Sequence, residues 1–205
     1  MKIIQTIYTV SLIFFICVSL SNAQSLKIGV GGGLTQVLSP DYLTNKVSEE
    51  GLGYSTEWNI GAMGKLDLPL IPITPRAFLL YHMFSGNGTN ASSQDVENSQ
   101  SIFEYGVGAQ YNFIPVPLGF SPYVAVDLSF SNFGDFKQKV DGVETKFAGV
   151  TRFGGGIGIG SEITIVPLVN LDLYLCYKIF NLTGKDEGED TISAATIDVF
   201  VNFNL

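Results

Sequence analysis

The last fourteen residues, 192–205, alternate in a way that few folds can accommodate. Apolar side chains stand at every second position, and mostly polar ones stand between them; the apolar set is Ala195, Ile197, Val199, Val201, Phe203 and Leu205. Alternation with a period of two predicts a β-strand with one apolar face. A strand at this place needs a partner on both edges, because a bare edge promotes aggregation. Pairing with the first strand, which closes the sheet, is the simplest solution.

Seven earlier segments predict strands, over residues 26–35, 54–68, 76–84, 101–113, 123–132, 147–162 and 171–181. Six of them show the same alternation, whereas 76–84 is apolar on both faces apart from Arg76 and His82. The connections are of two kinds. Long polar loops cover 36–53, 85–100, 132–146 and 182–191, and short proline-containing turns cover 69–75, 114–122 and 163–170. Eight strands joined in this way predict a closed, antiparallel, up-and-down β-barrel. Eight is the smallest common strand number, and it leaves an interior that side chains can fill.

The glycines indicate which face of the sheet points inward. Strand charges fall opposite the apolar face, but a soluble barrel would separate them too. Beside those charges stand many of the 23 glycines, at 29, 31, 33, 106, 108, 154, 156, 158 and 160. Glycine weakens an exposed strand, whereas in a crowded lumen it makes room for Arg76, Arg152, Tyr123, Tyr174, Phe180 and Phe200. We therefore expect the apolar face to point outward into lipid and the polar face to be enclosed.

Aromatic residues near the strand ends are typical of interfacial girdles. We expect Tyr54 and Trp58 near the loop side, and Tyr111, Phe113, Phe120, Tyr123 and Phe203 near the turn side. With an even number of strands, both termini and the proline turns would lie in the periplasm and the long loops outside.

The first 23 residues predict a secretory signal peptide, which leaves residues 24–205 as the mature domain. Lys2 precedes a largely apolar stretch, and Ser21-Asn22-Ala23 forms a cleavage site of the small-x-small type. The alternative is a retained transmembrane anchor. The formal charge of −8 argues against nucleic acid as a partner, since such binding needs a basic face. Cys176 alone follows the signal segment, so no disulfide framework is expected.

Taken together, the signal segment, eight alternating strands, short turns, long loops and final strand resemble the small OmpA/OmpX-type outer-membrane β-barrel domain of Gram-negative bacteria. The resemblance implies a monomer in outer-membrane lipid, inserted by the barrel assembly machinery, with loops that can contact an extracellular ligand or surface. The family usually ends in an aromatic residue; here Phe203 stands two places before the terminal Leu205.

Ionisable residues on the polar face would line the lumen. They are Glu57, Lys65, Arg76, His82, Glu104, Asp127, Arg152, Asp172, Lys178 and Asp198, with Lys27, Asp67 and Glu162 beside them. They could form an ion path or a paired network that holds the barrel shut. The paired network is favoured because eight-stranded interiors are filled and buried charges need partners.

Catalysis, a cofactor and a metal are not expected. His82 with Ser85 and Glu104 could suggest a lipid hydrolase, but no nucleophile-elbow motif is present. One histidine without a cysteine cluster is a poor metal site. The acidic loop 184–190 could bind divalent cations loosely, although a solvated loop is favoured.

The predicted function is structural or interactive, with polar loops displayed on a lipid-embedded barrel. The first alternative is a secreted lipocalin-like carrier of a small apolar ligand, which would need an apolar interior. The second is a lipid-modifying barrel enzyme.

Overall fold

A computed structural model describes residues 25–68, 71–113 and 119–205. They form ten strands: β1 Ser25–Ser39, β2 Glu57–Asp67, β3 Ile73–Thr89, β4 Asp95–Asn112, β5 Phe120–Phe133, β6 Phe136–Val140, β7 Val143–Phe147, β8 Val150–Val166, β9 Val169–Thr183 and β10 Ser193–Asn204. A helical turn, α1 at Asp41–Thr44, and a 3-10 turn at Val47–Glu49 follow β1. In the described ranges, no helix has the length and apolar character needed to cross a membrane.

The predicted signal peptide, residues 1–23, lies outside the described residues. So do residues 69–70 and 114–118, which belong to two of the three predicted proline turns. The third turn is short, since Pro167 and Leu168 alone separate β8 from β9.

Eight of the strands close into an antiparallel barrel in the order β1-β2-β3-β4-β5-β8-β9-β10. The last strand closes it, because β10 pairs with both β9 and β1 and places Ile197 opposite Leu34 and Val201 opposite Val30. The predicted closure is confirmed. We call the end of the barrel that carries residues 40–56, 134–149 and 184–192 the loop end, and the opposite end, with Pro167 and both termini of the described chain, the turn end.

The apolar side chains face outward and the polar ones inward. Ile197 is 58% exposed and Trp58 47%, whereas Asp198, next to Ile197, is 1% exposed. Ile60 and Val126 are likewise exposed on the outer face. This confirms the predicted lipid-facing arrangement. It does not favour a lipocalin-like carrier, because a soluble barrel needs the opposite orientation of its faces.

Glycines on the inner face make room for large side chains from neighbouring strands. A Cβ atom at Gly160 would overlap the ring of Tyr123, and one at Gly158 would lie 2.6 Å from Cε2 of Tyr174. The two tyrosines come from the strands on either side of β8, and their rings stack with centroids 6.0 Å apart and planes at 24°. Both tyrosines therefore fit inside an eight-stranded barrel because β8, the strand between them, carries glycine at these positions.

The expected aromatic girdles are right for most members and wrong for two. Trp58, Tyr111, Phe113, Phe120 and Phe203 are exposed on the outer face. Tyr54 and Tyr123, in contrast, are buried. Tyr123 shares the inward side of β5 with Asp127, and Tyr54 precedes β2 in a segment that packs against residues of the barrel mouth. Position near a strand end therefore did not by itself show which way the ring points.

Part of the sheet continues past the barrel rim at the loop end. Pairing of β3 with β2 stops at His82, yet β3 runs on with β4 as far as Thr89 and Asp95. The hairpin β6–β7 then pairs with the start of β4, with Val96 opposite Val140. We call this four-stranded sheet, residues 83–89, 95–101 and 136–147, the platform. The sequence had predicted only polar loops over 85–100 and 132–146.

Candidate functional site

The lumen at the turn end is filled by an ion-pair cluster. Lys65 Nζ lies 2.8 Å from Glu162 Oε1 and 2.5 Å from Asp172 Oδ2. Lys27 adds a second cation to Glu162 at 2.6 Å, and the Tyr123 hydroxyl donates to Asp172 at 2.7 Å. Each carboxylate thus has a cation and a further donor, as buried charges require.

A second cluster lies further along the lumen. The Arg76 guanidinium donates twice to Asp127, with its Nε at 2.9 Å from Oδ1 and its Nη2 at 2.5 Å from Oδ2. The Tyr174 hydroxyl donates to the same carboxylate at 2.9 Å, and its ring lies 4.1 Å from the guanidinium carbon. All three side chains are buried. The two-point contact fixes the orientation of Arg76 as well as neutralising it.

A third cluster lies nearer the loop end. Glu104 accepts from Lys178 at 2.6 Å and lies 3.1 Å from His82 Nε2. His82 Nδ1 is 2.9 Å from the Thr35 hydroxyl. Asp198 lies close by and accepts from the Asn59 amide at 2.8 Å. The three clusters together place a paired charge at successive levels of the lumen.

The hydrolase alternative, which the sequence did not favour, would need Ser85 beside His82, and the structure does not place it there. Ser85 donates to Glu57 at 2.7 Å, above the lumen, because it belongs to the part of β3 that extends past the rim. The hydroxyl that faces His82 is that of Thr35, and both are fully buried. Since a substrate must reach the nucleophile and its base, this arrangement suits a structural hydrogen-bond chain.

Arg152 fastens the acidic loop to the rim of the barrel. Its guanidinium Nη2 lies 2.6 Å from Glu189 and 2.7 Å from Asp186, and its Nε donates to Glu189 at 3.0 Å. Asn181 also donates to Glu189, at 2.8 Å. The loop predicted to be solvated is therefore anchored at two carboxylates. Among the residues that the structure describes, no group of three or more His, Cys, Asp or Glu is placed to hold a metal ion.

The anchored loop should respond to acid. The hydrogen bonds from Arg152 lower the pKa of Glu189 from the ordinary 4.5 to about 2, against a smaller opposing effect of burial. Because the pKa is lowered, the Arg152–Glu189 ion pair stabilises the anchored loop above about pH 4.5. This stabilisation is lost as the pH falls toward about 2. We expect a nitroxide label on a cysteine replacing the exposed Glu187 to become mobile over that interval.

Electron paramagnetic resonance of the label would measure this. Glu189→Gln should make the same label more mobile at pH 7, because Arg152 then keeps only the exposed carboxylate of Asp186. A label at Thr145 on the exposed strand β7, away from Arg152, serves as the control. Equal label mobility at pH 5 and pH 2 in the otherwise unchanged protein would contradict the assignment.

Above the three clusters, the loop end holds an apolar cavity of about 380 Å³. Its buried wall contains Val37, Leu43, Phe84, Ile102, Phe133 and Phe180. We call it the mouth cavity. It was not predicted, but a signal was available: Phe84, Ile102 and Phe180 stand on the same faces as His82, Glu104 and Lys178, two residues nearer the loops. The inward face therefore changes from polar to apolar at the loop end.

The predicted lumen residues divide into two groups. Lys65, Arg76, His82, Glu104, Asp127, Asp172, Lys178 and Asp198 lie buried in the three clusters. Glu57 and Arg152 lie at the rim, bonded to Ser85 and to the acidic loop. The sequence did not show the uncharged partners, such as Thr35 and Asn59, although both stand at inward positions of their strands.

Comparison with known proteins agrees with this architecture. Residues 9–204 match the model of the family described as outer membrane protein beta-barrel domain. The chain belongs to this family. Its location is accordingly the cell outer membrane, in lipid, and the outward-facing apolar strands are the surface that meets the bilayer. No curated protein matches the sequence significantly.

Several solved outer-membrane proteins share the fold. Neisserial surface protein A is 15% identical, with a TM-score of 0.53 over 89% of this chain and 97% of its own. The attachment invasion locus protein of Yersinia pestis, Ail, is 10% identical, with a TM-score of 0.53 over 88% and 98%. A major outer membrane protein of Thermus thermophilus is 10% identical, with a TM-score of 0.55 over 88% and 99%. At such identities the likeness concerns the fold.

Proposed function

We propose that this outer-membrane barrel is a monomeric, non-catalytic surface protein whose loop end faces outside the cell and contacts a partner there. The observation that carries the proposal is the platform. A strand pair that runs past the rim and recruits the hairpin β6–β7 gives the loop end a rigid sheet. Binding residues are often placed on segments that a rigid scaffold positions.

The lumen supports a role other than transport. Ion pairs stand at successive levels, from Lys65 with Asp172 near the turn end to Lys178 with Glu104 nearer the loops. Asp198 accepts hydrogen bonds from Asn59 and Thr196. Opening a path would separate buried ion pairs, which is costly. The barrel therefore serves as a support, and insertion by the barrel assembly machinery is part of the same proposal.

The charge of the loop end indicates the kind of partner. Residues 40–56, 84–99, 134–149 and 182–192 contain twelve Asp and Glu against five Lys. Ail has been solved in complex with sucrose octasulfate, a heparin analogue. A polyanion of that kind would be repelled by the acidic loops of this chain, so we propose a partner with a cationic surface.

Trimming the platform tests the proposal. Lys137 and Lys146 are opposite each other in the β6–β7 hairpin, so replacing residues 138–145 by Asn-Gly shortens it without changing the register. We expect cells that produce the trimmed protein to lose attachment to polylysine-coated surfaces, and neither protein to attach to heparin-coated ones. Uptake of a hydrophobic dye, a measure of membrane integrity, should stay the same.

Two outcomes would oppose the proposal. If the trimmed protein still attaches cells to polylysine-coated surfaces as well as before, the platform does not take part in binding. A rise in dye uptake when the gene is deleted, with attachment unaffected, would instead support a purely structural role in membrane integrity. Heat-dependent mobility in gel electrophoresis would show that both forms of the barrel are folded.

A further inference from the structure

The mouth cavity is closed below and open above. Its floor contains Phe84 and Phe180, whose ring centroids lie 6.3 and 5.5 Å from the ring of His82, so aromatic rings separate it from the ion pairs of the lumen. Ala148 and Val150 form part of its wall and are exposed, which puts its opening at the loop end. A volume of about 380 Å³ lies in the range of small-molecule sites.

One polar group in this apolar wall lacks a partner. Tyr54 is 5% exposed, and its hydroxyl is buried without a hydrogen bond to any residue that the structure describes. Buried polar groups are nearly always paired, since an unpaired one costs about 1–3 kcal/mol. Burial raises the pKa of Tyr54 above its ordinary value, so the hydroxyl keeps its proton and can donate or accept. A ligand with one hydrogen-bonding group would complete this site.

The rim of the cavity carries negative charge. Glu189 lines the cavity, and the loop 182–192 has four Asp and Glu against one Lys. Tyr42 lines it as well, and its pKa is raised by burial and then by the carboxylates of Asp190 and Glu189. Because Glu189 is already bonded to Arg152, it does not need a cation from the ligand. An anionic ligand would be repelled from this opening.

We propose that the mouth cavity binds a small apolar molecule that carries a hydrogen-bonding group for Tyr54 and no negative charge. The apolar wall provides the affinity, the Tyr54 hydroxyl fixes the orientation, and the acidic rim excludes apolar acids. The site is distinct from a lipocalin cavity because it occupies the mouth of the barrel, above a lumen that remains filled. It does not depend on the proposed surface partner.

A pair of related dyes tests the charge requirement. N-phenyl-1-naphthylamine is apolar and neutral with one N–H, and 8-anilino-1-naphthalenesulfonate has the same rings plus a sulfonate. The protein would be placed in nanodiscs of zwitterionic lipid. Dye that partitions into lipid increases linearly with concentration, and above this background we expect saturable binding of one neutral dye molecule per barrel. The affinity for the sulfonate dye should be at least about tenfold lower than the affinity for the neutral dye. Equal affinity for the two dyes, or no saturable component, would overturn the proposal.

Two variants locate the site. Ala148→Trp fills the cavity from an exposed loop position, so the saturable component should disappear. Val166→Trp, on the exposed outer face at the turn end, is the matched control and should bind like the unchanged protein. Saturable binding that survives Ala148→Trp, or that is lost equally in both variants, would place the dye elsewhere.

Tyr54→Phe tests the role of the hydroxyl. We expect it to weaken the neutral dye about fivefold, the loss of one hydrogen bond. It should leave 1-benzylnaphthalene, in which CH₂ replaces the N–H, unaffected. The melting temperature of the empty barrel should stay the same or rise, because an unpartnered buried hydroxyl is removed. A lower melting temperature, or equal weakening of both ligands, would show that Tyr54 is structural only.

Discussion

Replacing Arg76 with methionine should lower the free energy of unfolding of the barrel by about 3–5 kcal/mol, the cost of leaving one member of a buried ion pair alone. Asp127 has no other cation within ion-pair distance among the described residues, and it would retain only the Tyr174 hydroxyl at 2.9 Å. Urea titration in phospholipid vesicles, followed by the fluorescence of the single tryptophan, Trp58, would measure this change.

A double variant separates the ion pair from the packing around it. Arg76→Met with Asp127→Asn removes both charges, so we expect most of the lost stability to return, since buried pairs often contribute little net stability. Leu79→Met, at an exposed outer position of the same strand, should change the free energy by less than about 1.5 kcal/mol. If Arg76→Met lowers the free energy of unfolding no more than Leu79→Met does, water must reach the Asp127 carboxylate.

Placing arginine on the outer face at mid-barrel should cost about 2–4 kcal/mol of unfolding free energy, the cost of a charge at the bilayer midplane. Ile157 is suited to this test, because it is 61% exposed and lies in the middle of β8. Its cross-strand neighbours, Val126 and Tyr177, carry no charge, so Ile157→Arg can be solvated only by distorting the bilayer.

The matched control is Ile73→Arg at the turn end, where β3 begins and the outer face meets the membrane interface. Its expected cost is about 0–1 kcal/mol. Both variants would be measured by urea titration in the same vesicles. Equal costs at the two positions would contradict the assignment of the outer face to lipid, because a water-exposed face makes no distinction of depth.

The three clusters of the lumen and the mouth cavity occupy different levels of the barrel. We expect the lumen to resist opening at all three clusters, because Lys65, Arg76 and Lys178 are each paired with buried carboxylates. The loop end instead combines an apolar cavity with a loop held by Arg152, an anchor that we expect acid or Glu189→Gln to weaken. We therefore propose ligand binding at the loop end, and we expect the ion-pair clusters of the lumen to stabilise the barrel.

Much of the fold was predictable from residues close together in the chain. Side chains on a strand alternate between its faces, so the pattern around Ile197 and Asp198 fixes which residues meet lipid and which meet the lumen. The predicted ends of the strands were less accurate, because β3 and β4 continue into the platform through segments rich in Ser, Asn and Gly. Pairing between strands, rather than propensity, extends them there.

The partners of the lumen charges could not be predicted. Alternation shows that Lys65 and Glu162 both point inward, but 97 residues separate them, and only the register of eight tilted strands sets them at the same level of the barrel. The same holds for Arg152 and Glu189, and for the mouth cavity, whose walls come from seven strands and three loops. The sequence alone determined the strands, their closure and the direction of each face, since these follow from a local period of two. The tertiary structure decided which charges neutralise each other and where a cavity remains, because distances across the lumen depend on how every strand is aligned with the next.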